Sequence, residues 1–221
     1  GNPGTGKTTV ARLLAKIYHA VGVLSKGQLV EVDRSGLVAG FVGQTALKTQ
    51  EVIDKAIGGV LFIDEAYALA SHNGQNDFGQ EAVEVLLKNM EDHREDLIVI
   101  VAGYTELMGE FIHSNPGLES RFNKYFYFSD YDGEEMLAIF RSMCEKNGYR
   151  LDEAAGAYAK EVLDELYACR DENFGNARDV RNFFERSVAA QSDRLAALEK
   201  LDKEALMALT ADDLKKAAGE E

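Results

Sequence analysis

The residues most able to do chemistry stand at the very start of the chain. Gly1, Asn2, Pro3, Gly4, Thr5, Gly6, Lys7 and Thr8, followed by Thr9, read GNPGTGKTT and match the phosphate-binding pattern G-x-x-x-x-G-K-[ST]. Glycines let the main chain curl so that several N–H groups point at one anion, and the N-terminus of a following helix adds partial positive charge. Lys7 is placed to reach β- and γ-phosphates, and the Thr8 hydroxyl to ligate magnesium. A second element, GVLFIDE, ends an apolar run in Asp64 and Glu65. A carboxylate at the rim of a parallel sheet can hold a magnesium shell, and a second can take a proton from attacking water. Together these are the minimal apparatus for hydrolysing a nucleoside triphosphate.

Two arginines extend the set. Arg121, in NPGLESRF, lies between a Pro-Gly turn and an aromatic segment, where it can project from a domain edge and complete another subunit's site. Arg178, in FGNARDVRN, lies where a helix N-terminus near Gly175 can point it back at the phosphates. For both, the plain alternative is a surface salt-bridge partner.

The elements that must position these groups alternate. Helical spacing runs through Val10, Leu13, Leu14, Ile17 and Val21, the stripe of a helix packed on one side. Gln28–Asp33 reads as a strand, Thr45–Ile57 as a helix, and Gly59–Asp64 as a strand buried on both faces. Gln80–His93 is amphipathic, Leu97–Gly103 is a second buried strand, and Tyr125–Phe128 a short aromatic one. This predicts a three-layer α/β domain with a parallel sheet over residues 1–130. From residue 131 to 221 only helical periodicity is visible, in Glu134–Asn147, Ala154–Cys169, Ala177–Leu195 and Lys203–Ala218, which predicts a small all-helical second domain.

Composition narrows the partners. The net charge is −14 over 221 residues, and both halves are acidic, with 17 acids to 11 bases before residue 131 and 21 to 13 after it. That argues against nucleic acid and anionic membrane surfaces, which need basic stripes. The longest apolar run, Leu97–Ala102, is far short of the roughly 18 residues of a membrane span, and no signal segment opens the chain, so a cytoplasmic protein is expected. Cys144 and Cys169 are too few for a disulfide framework or a four-ligand zinc site.

GNPGTGKTT, GVLFIDEAY, IVIVAGY, NPGLESRF and GNARDVRN, in this order and spacing, resemble an AAA+ ATPase. More narrowly they resemble the family that groups the red-type Rubisco activase CbbX (CfxQ), stage V sporulation protein K and EccA-like proteins. The resemblance covers essentially the whole chain. It implies that residues 1–8 are Walker A, that Asp64 and Glu65 are Walker B with Glu65 as the water-activating base, and that ATP and Mg2+ are bound. It implies that Arg121 is a trans arginine finger and Arg178 the sensor-2 arginine of a helical lid. The sensor-1 slot falls around Gly103, Tyr104 and Thr105, to be filled by Tyr104 or Thr105.

Ser35–Gly43, SGLVAGFVG, resembles the family's central pore loop, with Gly40, Phe41 and Val42 at its tip. An aromatic offers contact area to any extended polypeptide, and flanking glycines let the tip move; the alternative is a Phe41 buried in the core. The segment 74–79, GQNDFG, is either a second loop facing the channel or a plain surface loop. The resemblance further implies a homo-oligomer, as a hexamer, acting on a polypeptide.

A phosphate-binding loop should follow a buried strand, yet Gly1 is the first residue, so the sheet's first strand and the segment that cradles adenine are expected to be missing. If the polypeptide truly starts here, weak nucleotide affinity and an association-prone sheet gap follow. Two rival classes remain: a DNA-directed AAA+ loader, which needs a basic pore, and a regulatory module that binds nucleotide without hydrolysing it. The loop segments hold one cation, Arg34, beside Asp33 and Asp77.

Overall fold

The computed structural model describes residues 1–41, 43–70, 78–197 and 202–219. The chain divides into two compact units, one of Gly1 and residues 6–128, the other of residues 2–5 and 129–221.

The first unit is α/β. Helix α1 (Lys7–Ala20) leads to β1 (Leu29–Val32), α2 (Arg34–Leu37), α3 (Gln44–Ala56), β2 (Val60–Ile63) and a 3-10 turn, Ala66–Ala70. There follow α4 (Gly79–Asp92), β3 (Ile98–Val101), α5 (Thr105–His113) and α6 (Pro116–Arg121). The three strands form a parallel sheet in the order β1-β2-β3, with Val32 opposite Ile63 and Ile63 opposite Val101. Every residue of β2 is buried, as a strand covered on both faces requires. The pleat sends alternate side chains opposite ways. Leu61 and Ile63 pack with Leu37, Ile53, Leu86 and Phe111, while Phe62 meets Ala11 and Val60 meets Ala15 and Leu24.

Two sequence expectations are corrected here. The stripe of α1 is not its packing face: Ala11 and Ala15 are buried, whereas Leu13 is 56% and Val21 66% exposed. Small residues four apart let the helix lie close to β2, and this close approach takes precedence over bulk. Nor is Tyr125–Phe128 a strand; Tyr125, Phe126 and Tyr127 are exposed. A strand requires a neighbour's hydrogen-bond ladder, and β3 pairs with β2 alone among the described residues.

The second unit is helical, built from α7 (Gly133–Lys146), α8 (Glu153–Ala168), α9 (Ala177–Ala196), α10 (Lys203–Met207) and α11 (Ala211–Ala218). Met136, Phe140, Leu163, Val180, Phe183 and Leu214 form its core. It adds a minimal parallel pair, β4 (Arg150–Leu151) with β5 (Ala208–Leu209). The stretch read as one helix over 203–218 is therefore two, because Thr210 leaves helical geometry and caps α11 in a reciprocal box with Asp213. No helix among the described residues is long and apolar enough to cross a membrane.

Candidate active site

Local geometry at the first loop follows from its glycines. Gly4 (φ 72°) and Gly6 (φ 90°) both sit where a Cβ is disfavoured. Gly6 is the N-cap of α1 and offers no side-chain acceptor, and the first turn carries no acid, so nothing of the helix's own competes for its leading N–H groups. Within the first unit, the Lys7 ammonium donates to the Gly1 carbonyl at 2.8 Å. Within the second, the buried Thr5 hydroxyl donates to the Asn2 carbonyl at 2.8 Å, closing the crest of the loop. The loop is thus shared between the two units, residues 2–5 folding with the second.

Asp64 and Glu65 leave the sheet at the end of β2. The Asp64 N–H still donates to Val32 at 2.8 Å, continuing the ladder, and the Asp64 Oδ1 then accepts from the Glu65 N–H at 3.1 Å. Glu65 has φ 49° and is exposed, an uncommon conformation for a residue with a Cβ. The chain turns there so that Ala66 donates to Ala102 at 3.1 Å.

Beyond this turn lies Tyr67, a residue that sequence reasoning passed over in the motif DEAY. Its ring packs on Tyr104 with centroids 6.2 Å apart, and a Cβ at Gly103 would press on it at 2.7 Å. Burial, followed by the charge of Glu65, raises the Tyr67 hydroxyl above its usual 10.0. Tyr104 therefore stands beside the turn that carries Glu65, as N-cap of α5, and is 37% exposed.

The loop after β1 is anchored at its base and open at its tip. From α3, the Lys48 ammonium donates to the carbonyls of Ser35 (2.6 Å) and Val38 (3.1 Å), and the Thr49 hydroxyl donates to Leu37 at 3.1 Å. Thr45 accepts from the Ala39 N–H at 3.0 Å. Phe41 is 72% exposed, and a Cβ at Gly40 or Gly43 would meet nothing within 4 Å. Val42 and residues 74–77 of the second loop lie outside the described residues. The anchoring residues were also missed; their signal is polar Thr45, Lys48 and Thr49 recurring at helical spacing. Beside the loop, a cleft of about 340 Å³ is lined by Asp33, Arg34, Ser35, Val38, Glu65 and Ala68.

Arg121 ends α6, half-buried, with a guanidinium nitrogen 3.7 Å from Glu91 of α4. Its Nε is buried and meets no hydrogen-bond acceptor among the described residues. Arg178, in the first turn of α9, is exposed, and its N–H donates to Gly175 at 2.9 Å. It lies beside the loop crest: a Cβ at Gly4 would stand 3.2 Å from the Arg178 nitrogen. Two adjacent carboxylates, a glycine-shaped anion cradle opening a helix, and a lysine at that helix's first residue together suit a phosphoanhydride and its metal.

Residues 1–130 match the model of the ATPase family associated with various cellular activities, and residues 132–221 match the AAA lid domain. The chain belongs to the AAA ATPases. It is 44% identical over 215 residues to stage V sporulation protein K of Bacillus subtilis (strain 168), covering 97% of this chain and 66% of that protein. It is 42% identical to the chloroplastic ribulose bisphosphate carboxylase/oxygenase activase of Cyanidioschyzon merolae (strain NIES-3377 / 10D), covering 98% and 74%. Among solved structures, the FIGL-1 AAA domain in complex with ADP superposes with a TM-score of 0.65 at 21% identity, over 99% of this chain and 69% of that one, a likeness of fold. The chain spans about two thirds to three quarters of the length of these curated relatives. As a member of this family it is an ATP-hydrolysing enzyme.

Proposed function

We propose that this AAA ATPase works as a ring that remodels a protein substrate, drawing an extended polypeptide past Phe41. The observation that carries this reading is the loop itself: an aromatic side chain 72% exposed on a base pinned by Lys48 and Thr49. An exposed aromatic beside open glycines offers flat contact area to an extended chain and a tip that can move. The sporulation and activase relatives support the protein-directed reading.

In the mechanism we infer, Lys7 and the N–H groups at the start of α1 hold the β- and γ-phosphates of ATP. Thr8 and Asp64 would hold Mg2+, which neutralises phosphate charge when bound. The residues fit that ion: Asp64 is half-buried at the end of β2, and with the Glu65 N–H on Oδ1 the second carboxylate oxygen faces no donor among the described residues. Glu65 accepts the proton of the attacking water. Arg121 of a neighbouring subunit would stabilise transition-state charge, and its loose 3.7 Å pairing with Glu91 is easily given up for a stronger anion. Arg178 reports the nucleotide state to the lid. A hexamer in the cytoplasm is the assembly we favour.

The DNA-loader reading is weaker because Arg34, the cation of the loop segment, spends a guanidinium N–H on the Ala68 carbonyl. A non-hydrolysing module is at odds with two carboxylates presented side by side. The deciding experiment compares Glu65→Gln with the wild type. Retained ATP binding with loss of phosphate release is expected, and retained hydrolysis would remove Glu65 from its role.

A further inference from the structure

Asn176 is polar yet wholly buried, at 0% exposure, and its main chain stands at φ 53°, ψ −125°. Positive φ is tolerated by asparagine more readily than by most residues, and it persists where surrounding contacts demand it. Those contacts reach the crest of the phosphate loop. Asn176 Nδ2 donates to the Pro3 carbonyl at 3.2 Å and to Asp130 Oδ1 at 2.8 Å, and its Oδ1 accepts the Tyr131 N–H at 2.8 Å. Alongside, the Ala177 N–H donates to the Gly4 carbonyl at 3.2 Å, and the Tyr131 hydroxyl to the Thr5 carbonyl at 3.0 Å. Asn2 Nδ2 donates to the Asp130 carboxylate at 2.9 Å. A Cβ on Gly4 would collide with the Gly175 carbonyl. All of these residues belong to the second unit.

Three consecutive carbonyls, those of Pro3, Gly4 and Thr5, therefore each accept a hydrogen bond from residues 131, 176 and 177. In a trans peptide the C=O of one residue and the N–H of the next point in opposite directions. Holding these three oxygens turns the N–H groups of Gly4, Thr5 and Gly6 the other way, which is the disposition an anion-binding nest needs.

We infer that Asn176 is a positioning residue for nucleotide binding: by clamping Pro3 and the Asp130–Tyr131 segment, it presets the phosphate loop with its N–H groups turned toward the phosphates. The inference rests on reading residues 1–8 as the phosphate loop. Its role is distinct from that of Arg178, since the wholly buried Asn176 acts on the loop's main chain. Presetting is a binding effect, so its loss should raise KM and leave turnover at saturation alone, because Lys7, Asp64 and Glu65 are unchanged.

The test uses the full-length protein, with fluorescent ADP titration and steady-state ATP hydrolysis. Asn176→Gly removes the carboxamide while accommodating the main-chain conformation. It should raise KM for ATP and Kd for ADP about tenfold, with kcat within about twofold. Tyr131→Phe, which removes only the hydroxyl on Thr5, should raise both about threefold and decides the matter alone if Asn176→Gly does not fold. Arg194→Ala, which breaks the lid's ion pair with Asp213, serves as the structural control: melting temperature falls and KM stays. Unchanged KM and Kd in the folded variants, or a fall in kcat at constant KM, would overturn the inference. Lys7→Ala separates the two levels. If it too binds ADP normally, the phosphate-loop reading is lost; if it alone fails to bind, only the role of Asn176 is.

Discussion

The Arg34 guanidinium donates to the main-chain oxygen of Ala68 at 2.6 Å. Arg34 is the first residue of α2, which leads to Phe41, and Ala68 lies in the 3-10 turn that follows Glu65. One hydrogen bond of a charged donor thus ties the carboxylate turn to the base of the exposed loop. Such bonds contribute about 1.5–3 kcal/mol.

Cutting this tie should separate the two activities. Arg34→Ala is expected to diminish the stimulation of ATP turnover by an extended polypeptide about tenfold while basal turnover falls less than about threefold. Arg34→Lys, which keeps a donor but not the planar fork, should lie between. Phosphate release with and without polypeptide measures both, and equal losses in the two would mean that Arg34 only supports the fold.

Arg121 yields a prediction about sharing. Its pairing with Glu91 at 3.7 Å is loose and partly solvated, so it costs little to break. If the arginine serves a neighbour, Arg121→Ala should lose about 1,000-fold in turnover, and Glu65→Gln should be inactive by itself. Mixing the two inactive variants should restore activity, because a site with an intact Glu65 can then face an intact Arg121. No recovery on mixing would sink the shared-site model.

Phe41 carries the grip on substrate and almost none of the fold. Surface changes away from special features usually alter stability by about 0.5 kcal/mol or less, so Phe41→Ala should melt like the wild type. Polypeptide-stimulated turnover should nevertheless disappear, and Phe41→Tyr should retain it, since the flat contact area is what matters. A melting shift of several degrees in Phe41→Ala would instead place the ring in the core.

What was legible in the sequence was whatever depends on neighbours in the chain. The unbroken apolar run of β2 announced a strand buried on both faces, and the glycines around Lys7 announced a turn into a helix. The face of α1 was misread because hydrophobic patterning weighs Leu13 and Val21 above Ala11 and Ala15, whereas close helix-to-strand contact favours the small pair. Tyr67, Lys48 and Asn176 went unread for a different reason. Nothing in the sequence around each marks it out, and its part is set by a distant partner: Tyr104, the Val38 carbonyl, and Pro3. The Thr210–Asp213 box was visible as T-x-x-D, but the apolar spacing of 203–218 suggested one helix through it.

That box also sets the pH response of the lid. Burial of Asp213 works to raise its pKa, yet the Arg194 guanidinium, bonded at 2.8 Å through two nitrogens, and the Thr210 N–H and hydroxyl hold it below the usual 3.8. The same hydrogen bond to Asp213 raises the Arg194 pKa beyond its already high ordinary value, so the guanidinium stays charged throughout. A carboxyl whose native pKa is depressed favours the folded state at pH values above its unfolded pKa, and that contribution is lost as the pH falls through the native value. Asp213→Asn should therefore lower stability at pH 7 by about 1–3 kcal/mol, leaving the Arg194 guanidinium short of an acceptor. The gap between variant and wild type should stay constant down to about pH 4 and close below it. Thermal melts of both proteins from pH 7 to pH 3 measure this, and a gap that begins closing near pH 6 would assign the response to another group.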